Sequence, residues 1–151
     1  MEHTWRHLPA VARPIAAATD AAVGAAQSGD RAAMAEAVGD LAALDPAQVG
    51  LILGTTLRLL LEERHPDGLT GDDVRAVLQR AVHGDPEADP QVMLTLLAGA
   101  LGVHDDEPPA AKPDAVAGQA VRLLADQLAG APIRRHLELA MTEIEQTQLN
   151  D

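Results

Sequence analysis

Residues 45–64, DPAQVGLILGTTLRLLLEER, are the most apolar and best-delimited run in the chain, and they admit one local structure. Asp45 followed by Pro46 is a helix start: the carboxylate can accept from free N–H groups of the first turn, and proline at the first helical position gives up a donor that had no partner there. The spacing predicts a helix over 46–64. Val49, Ile52, Leu53, Leu57 and Leu60 fall on one stripe, Leu59 and Leu61 widen it, and Thr55, Arg58 and Glu62 gather on the far side. A face that broad implies neighbours on several sides and a central place for this helix. Gly50 and Gly54, on a flank shared with Leu61, remove side chains where a second helix could approach the backbone closely. In a bilayer the same spacing would mark pairing helices, but Arg58 breaks the run before the ~20 apolar residues that a span needs.

The same punctuation organises the rest of the chain. Pro14 opens a helix to about Gln27, Gly29 ends it, and Asp30 caps the next over 31–44, giving a helical hairpin with Met34, Val38, Leu41 and Leu44 on one side. Thr70 and Asp73 stand at capping-box spacing and introduce a helix over 71–83, striped by Val74, Val77, Leu78 and Ala81. Asp89-Pro90 repeats the earlier start signal and opens a helix to about 101, so rich in leucine that it is expected to be the most buried companion of 46–64. HDDEPPAAKP at 104–113 reads as a mobile, proline-rich acidic loop. A helix over 114–129 stopped by Gly130, and a last one opened by Pro132, complete the set. The expected fold is all-α: a single compact domain of six to seven antiparallel helices over 14–149, preceded by an N-terminal arm over 1–13. The strings DPAQVGLIL at 45–53 and DPQVMLTLL at 89–97 are also compatible with two related helical hairpins, short of the three repeats that a solenoid needs.

Composition decides what such a fold can be made of and what it can bind. A domain of 151 residues buries roughly two-thirds of its unfolded surface, so no staple is required. There is no Cys, Phe or Tyr and one Trp, which leaves Leu, Val, Ile, Met and abundant Ala to build the core and excludes disulfides and thiolate chemistry. The net charge of −12, with Lys112 the only lysine, argues against contact with a phosphate backbone or an anionic membrane. Scattered carboxylates do not make a DNA mimic either. The Ile15–Ala26 run, interrupted by Asp20 and richer in Ala than Leu, does not read as a secretory signal, and a cytoplasmic location is expected.

Candidate chemistry is sparse. His3 and His7 stand at two-histidine metal spacing but on a terminal arm without an HExxH pattern, and His104 beside Asp105, Asp106 and Glu107 offers ligands that neighbouring loop residues rarely aim at one point. His65 and His83, with His104, fall at helix C-termini, where imidazole meets the negative end of the dipole. The 67–73 segment lacks the acidic positions of a calcium loop, 50–56 lacks the lysine of a phosphate loop, and Ser28, the only serine, lies in a turn without GxSxG. No catalytic residue, metal site or cofactor is expected. The remaining expectation is a non-enzymatic interaction module, an adaptor, regulator or assembly subunit with a protein partner and a possible homodimer, for which Trp5 and Arg6 on the arm are the candidate contacts, the other place for Trp5 being folded back as a plug of the hydrophobic core. The alternative is a pocket for a small apolar ligand where Gly50, Gly54, Leu61 and Gly99 leave room between helices.

Overall fold

Helix boundaries fall close to where capping chemistry puts them. The computed structural model describes residues 8–83, 85–102 and 112–150, without the side chains of 148–150. Among these residues there are seven helices and no strand: α1 (Ala12–Ser28), α2 (Arg31–Ala42), α3 (Pro46–Arg64), α4 (Gly71–Val82), α5 (Pro90–Ala100), α6 (Pro113–Leu128) and α7 (Arg134–Asn150). They form one all-α domain around a shared core. Asp89 accepts from the backbone N–H groups of Gln91 at 3.1 Å and Val92 at 3.3 Å. The capping box closes as well, with Asp73 N–H on the Thr70 hydroxyl at 3.2 Å and Thr70 N–H on the Asp73 carboxylate at 2.9 Å. Gly29, with φ +74°, ends α1, and Asp30 caps α2 by accepting from Ala33 N–H at 3.1 Å. Asp45 is the exception: α3 starts at Pro46, but the Asp45 side chain makes no cap hydrogen bond.

Three boundaries move for tertiary reasons. The α1 helix begins at Ala12, ahead of Pro14, because the Pro9 carbonyl takes the N–H groups of Ala12 at 3.0 Å and Arg13 at 3.2 Å. Pro14 then sits in the first turn, where a missing donor costs nothing. Leu8 is buried in the core and its carbonyl accepts from Arg13 Nε at 2.8 Å, so the domain reaches back to Leu8 and the arm is shorter than 1–13. At the other end α7 starts at Arg134 instead of Pro132: Ile133 is buried, and its carbonyl accepts from Leu137 N–H at 3.0 Å. Ala129 at φ +50° and Gly130 at φ +91° turn the chain sharply between α6 and α7. Of the expected loop over 104–113, residues 104–111 lie outside the described residues, as do residues 1–7, while Pro113 already belongs to α6.

The centre of the bundle is α6, not α3. The α6 helix packs against α1, α2, α3, α4 and α5, whereas α3 packs against α1, α5, α6 and α7. Small residues explain this, since Ala117, Gly118 and Ala120 are buried beside Val121, Leu123 and Leu124 and let neighbours close in from several sides. Nor is α5 the most buried element, because Leu94 is 48% exposed and Gly99 faces solvent. The glycines of α3 do not receive a helix: a Cβ at Gly50 or Gly54 would meet nothing within 4 Å, and the neighbouring Leu51 is 42% exposed. Gly50→Ala and Gly54→Ala are therefore expected to stabilise the protein by about 1 kcal/mol each in urea unfolding, through helix propensity alone. A loss of stability in either would mean that the strip is covered after all. No helix among the described residues is long and apolar enough to cross a membrane.

Candidate functional site

The feature of the surface best suited to binding is an open groove of about 400 Å³ between α2 and α6, bordered by the last turn of α1 and by the α4–α5 connection. The α2 helix contributes Asp30, Arg31, Met34, Ala35 and Val38, and α6 contributes Asp114, Ala115, Gly118, Gln119, Arg122 and Ala125. Both sets keep helical spacing, so each is one face of its helix. From Asp114 to Ala125 the α6 face extends ~17 Å at the usual rise per residue.

The wall formed by the α4–α5 connection is held in place by two residues of α6. Gln119, buried, donates from Nε2 to the Glu87 carbonyl at 3.0 Å and accepts the Asp89 N–H on Oε1 at 2.9 Å. Arg122 donates from Nε to Asp85 at 2.9 Å and from Nη2 to Glu87 at 2.7 Å. Half-exposed ion pairs of this kind contribute little stability, ~0–1 kcal/mol, so their consequence here is geometric: they fix the rim before anything binds. Gly118 leaves room for it, since a Cβ there would lie 3.2 Å from Arg122 Nη1, close enough that the guanidinium would have to shift by a few tenths of an ångström, and 3.8 Å from Val38 Cγ1.

Electrostatically the groove carries, among the described residues, four carboxylates, Asp30, Asp85, Glu87 and Asp114, against two guanidiniums, Arg31 and Arg122. Among the described residues its lining includes no hydroxyl, thiol, imidazole or lysine amine. The surface therefore offers apolar contact and negative charge, chemistry suited to holding a ligand.

The sequence-derived candidates lie elsewhere. Leu61 is fully buried, Gly50 and Gly99 are exposed, Gly54 is half-buried, and none of the four lines the groove. Trp5, Arg6, His3, His7 and the His104–Glu107 cluster fall outside the described residues. His65 and His83 do occupy helix C-termini, with His65 Nδ1 3.0 Å from the Leu61 carbonyl. Glu62 and Glu63 point to different partners as their adjacency requires, Glu62 to Arg58 and Glu63 to His136.

Sequence reasoning passed over the groove because its residues are small or singly charged. A signal was present: Ala115, Gly118, Arg122 and Ala125 recur at helical spacing as a strip with no large apolar side chain, on a helix otherwise rich in leucine.

A second polar cluster joins the C-terminal ends of α3 and α6 to the start of α7. His136, buried, places Nε2 2.8 Å from Glu63 Oε2, and Arg135 stands 3.6 Å from the other carboxylate oxygen. The hydrogen bond from His136, helped by the charges of His136 and Arg135, holds the Glu63 carboxyl below its ordinary range. Asp73 is lowered in the same direction by the backbone and hydroxyl of Thr70. A carboxyl lowered on folding stabilises above its unfolded pKa and ceases to as pH falls through the folded one. The stability difference between wild type and Glu63→Gln should thus shrink as the solution is acidified below about pH 5 and Glu63 takes up its proton, measured by urea unfolding across pH.

The fold and the groove define the class: an all-α domain with an acid-rimmed groove floored by small side chains. Compared with known proteins, the chain matches no family model, no curated protein and no solved structure.

Proposed function

We propose that the protein is a non-enzymatic interaction module, an adaptor, regulator or assembly subunit, that receives a segment of a protein partner in the groove between α2 and α6. The observation that carries this reading is the pre-set rim: Gln119 and Arg122 fix the α4–α5 connection through four hydrogen bonds, so the groove stays open without an occupant. Rigid walls lower the ordering cost of binding. The alanine and glycine floor lets a partner's backbone come close, and Gln119 and Arg122 are engaged in holding the wall. On this reading the module works in the cytoplasm and away from nucleic acid, in keeping with its net charge of −12. Self-association belongs to the same proposal, with exposed Leu51, Leu94 and Leu139 as surface for it, and light scattering at high concentration tests it.

The experiment is affinity capture from the native host's lysate with wild type, Ala35→Trp and Trp5→Ala. Ala35 is exposed and lines the groove, so tryptophan there fills the site without touching the core. A partner held by wild type and lost with Ala35→Trp supports the groove; loss with Trp5→Ala alone moves the contact to the N-terminal arm. A small apolar ligand is the second reading, favoured by a volume within the ~300–1,000 Å³ of ligand sites and by Met34 and Val38 in the lining. A rise in Tm with members of an apolar compound library, abolished by Ala35→Trp, would select it.

A further inference from the structure

We infer that the segment the groove receives is cationic and amphipathic, a short helical stretch of a partner protein with lysine or arginine along one flank and small or aliphatic side chains along the other. This rests on the docking reading above and names the chemistry of the partner. Of the four groove carboxylates, Asp85 and Glu87 already share the Arg122 guanidinium. Asp30 and Asp114 have hydrogen bonds only to backbone N–H groups, of Ala33 and Ala115, and pair with no cation among the described residues. Asp30 caps α2 and Asp114 lies in the first turn of α6.

Each class of occupant meets this surface differently. A neutral apolar segment would strip water from Asp30 and Asp114 and give them no partner, which is unfavourable. An anionic segment would face two more carboxylates than guanidiniums, Arg31 included. A basic segment satisfies both carboxylates with charge-assisted hydrogen bonds while its other flank covers Met34, Ala35, Ala115 and Gly118. The net charge of −12 adds long-range attraction for such a partner and speeds its encounter. The ~17 Å of α6 that lines the groove matches about eleven or twelve residues of helix.

The test is fluorescence anisotropy with a fluorescein-labelled amphipathic helical peptide, about 14 residues of Ala, Leu and Lys, and two twins in which Lys is replaced by Glu or by Gln. Each is titrated with wild type, with Ala35→Trp, and with the double variant Asp30→Asn and Asp114→Asn. Asparagine is as good an N-cap as aspartate at position 30, and Asp114 is an exposed first-turn residue of α6 whose N-cap is Lys112, so the double variant should keep its helices, and matching melting curves check this. The lysine peptide should bind saturably, weaken about tenfold or more with either groove variant, and weaken further as salt is raised. Equal binding of the Glu or Gln twin overturns the inference, and so does lysine-peptide binding indifferent to both variants, which would reflect net charge alone. If no peptide binds while Ala35→Trp still strips the native partner, the cationic assignment fails and the docking reading stands. If Ala35→Trp leaves the native partner bound, the docking reading fails as well.

Discussion

Leu124→Ala is expected to lower the unfolding free energy by about 2–5 kcal/mol, a large part of what a domain of this size possesses. Leu124 is fully buried on α6, the helix that packs against five others. Removing its branched end forfeits apolar burial and leaves a cavity that so many fixed neighbours cannot close, and both losses add. The comparison that makes the result specific is Leu94→Ala on α5. Leu94 is 48% exposed, so the same substitution there should cost no more than about 0.5 kcal/mol. Urea unfolding of the two variants measures the difference directly. Comparable losses would place the centre of the bundle elsewhere.

Gln127→Leu should do the opposite and raise stability by about 1–3 kcal/mol. Gln127 is 2% exposed, and neither its Oε1 nor its Nε2 has a hydrogen-bond partner among the described residues. A buried amide in that state carries its desolvation cost without return, and leucine of similar length removes the cost. The backbone is unaffected, because the Gln127 carbonyl keeps the hydrogen bond from Arg64 Nη1 at 2.6 Å. Gln119→Leu is the internal control: the same residue type on the same helix, but with both amide ends bonded to the groove wall. It should lose about 1–3 kcal/mol, because the Glu87 carbonyl and the Asp89 N–H would be left unpaired. Opposite signs at two buried glutamines would show that satisfaction, and not polarity, decides the balance. A destabilised Gln127→Leu would instead point to a polar molecule bound at that end of the bundle.

The legibility of the fold in the sequence varied with the range of the interaction concerned. Helix starts at Pro46 and Pro90, the Gly29–Asp30 junction and the Thr70–Asp73 box depend on groups within three or four residues of one another, and each appears where the chain's spacing indicates. Boundaries governed by distant packing were less legible. Pro14 looks like a start only while the turn from Pro9 is unknown, and Pro132 looks like one only while the burial of Ile133 is unknown. Ranking helices by apolar density also misplaced the centre. Density rewards α3 and α5 for leucines such as Leu51 and Leu94 that end up exposed, and overlooks Ala117, Gly118 and Ala120, whose small size is what lets α6 be surrounded.

The groove was illegible for a related reason. Its wall is tied by contacts between residues 30 or more positions apart, Gln119 and Arg122 on one side and Asp85, Glu87 and Asp89 on the other. Gln127 and Gln119 look identical along the chain, and only their surroundings separate a liability from a clamp. What the sequence by itself determined is the all-α class, the helix caps and the composition of the core, because periodicity and capping are local and a chain without Phe, Tyr or Cys has few other ways to bury itself. Which helix is central, which glycines face solvent and which carboxylates are left without a cation were decided only by tertiary structure, since each depends on which distant surfaces the packing brings together.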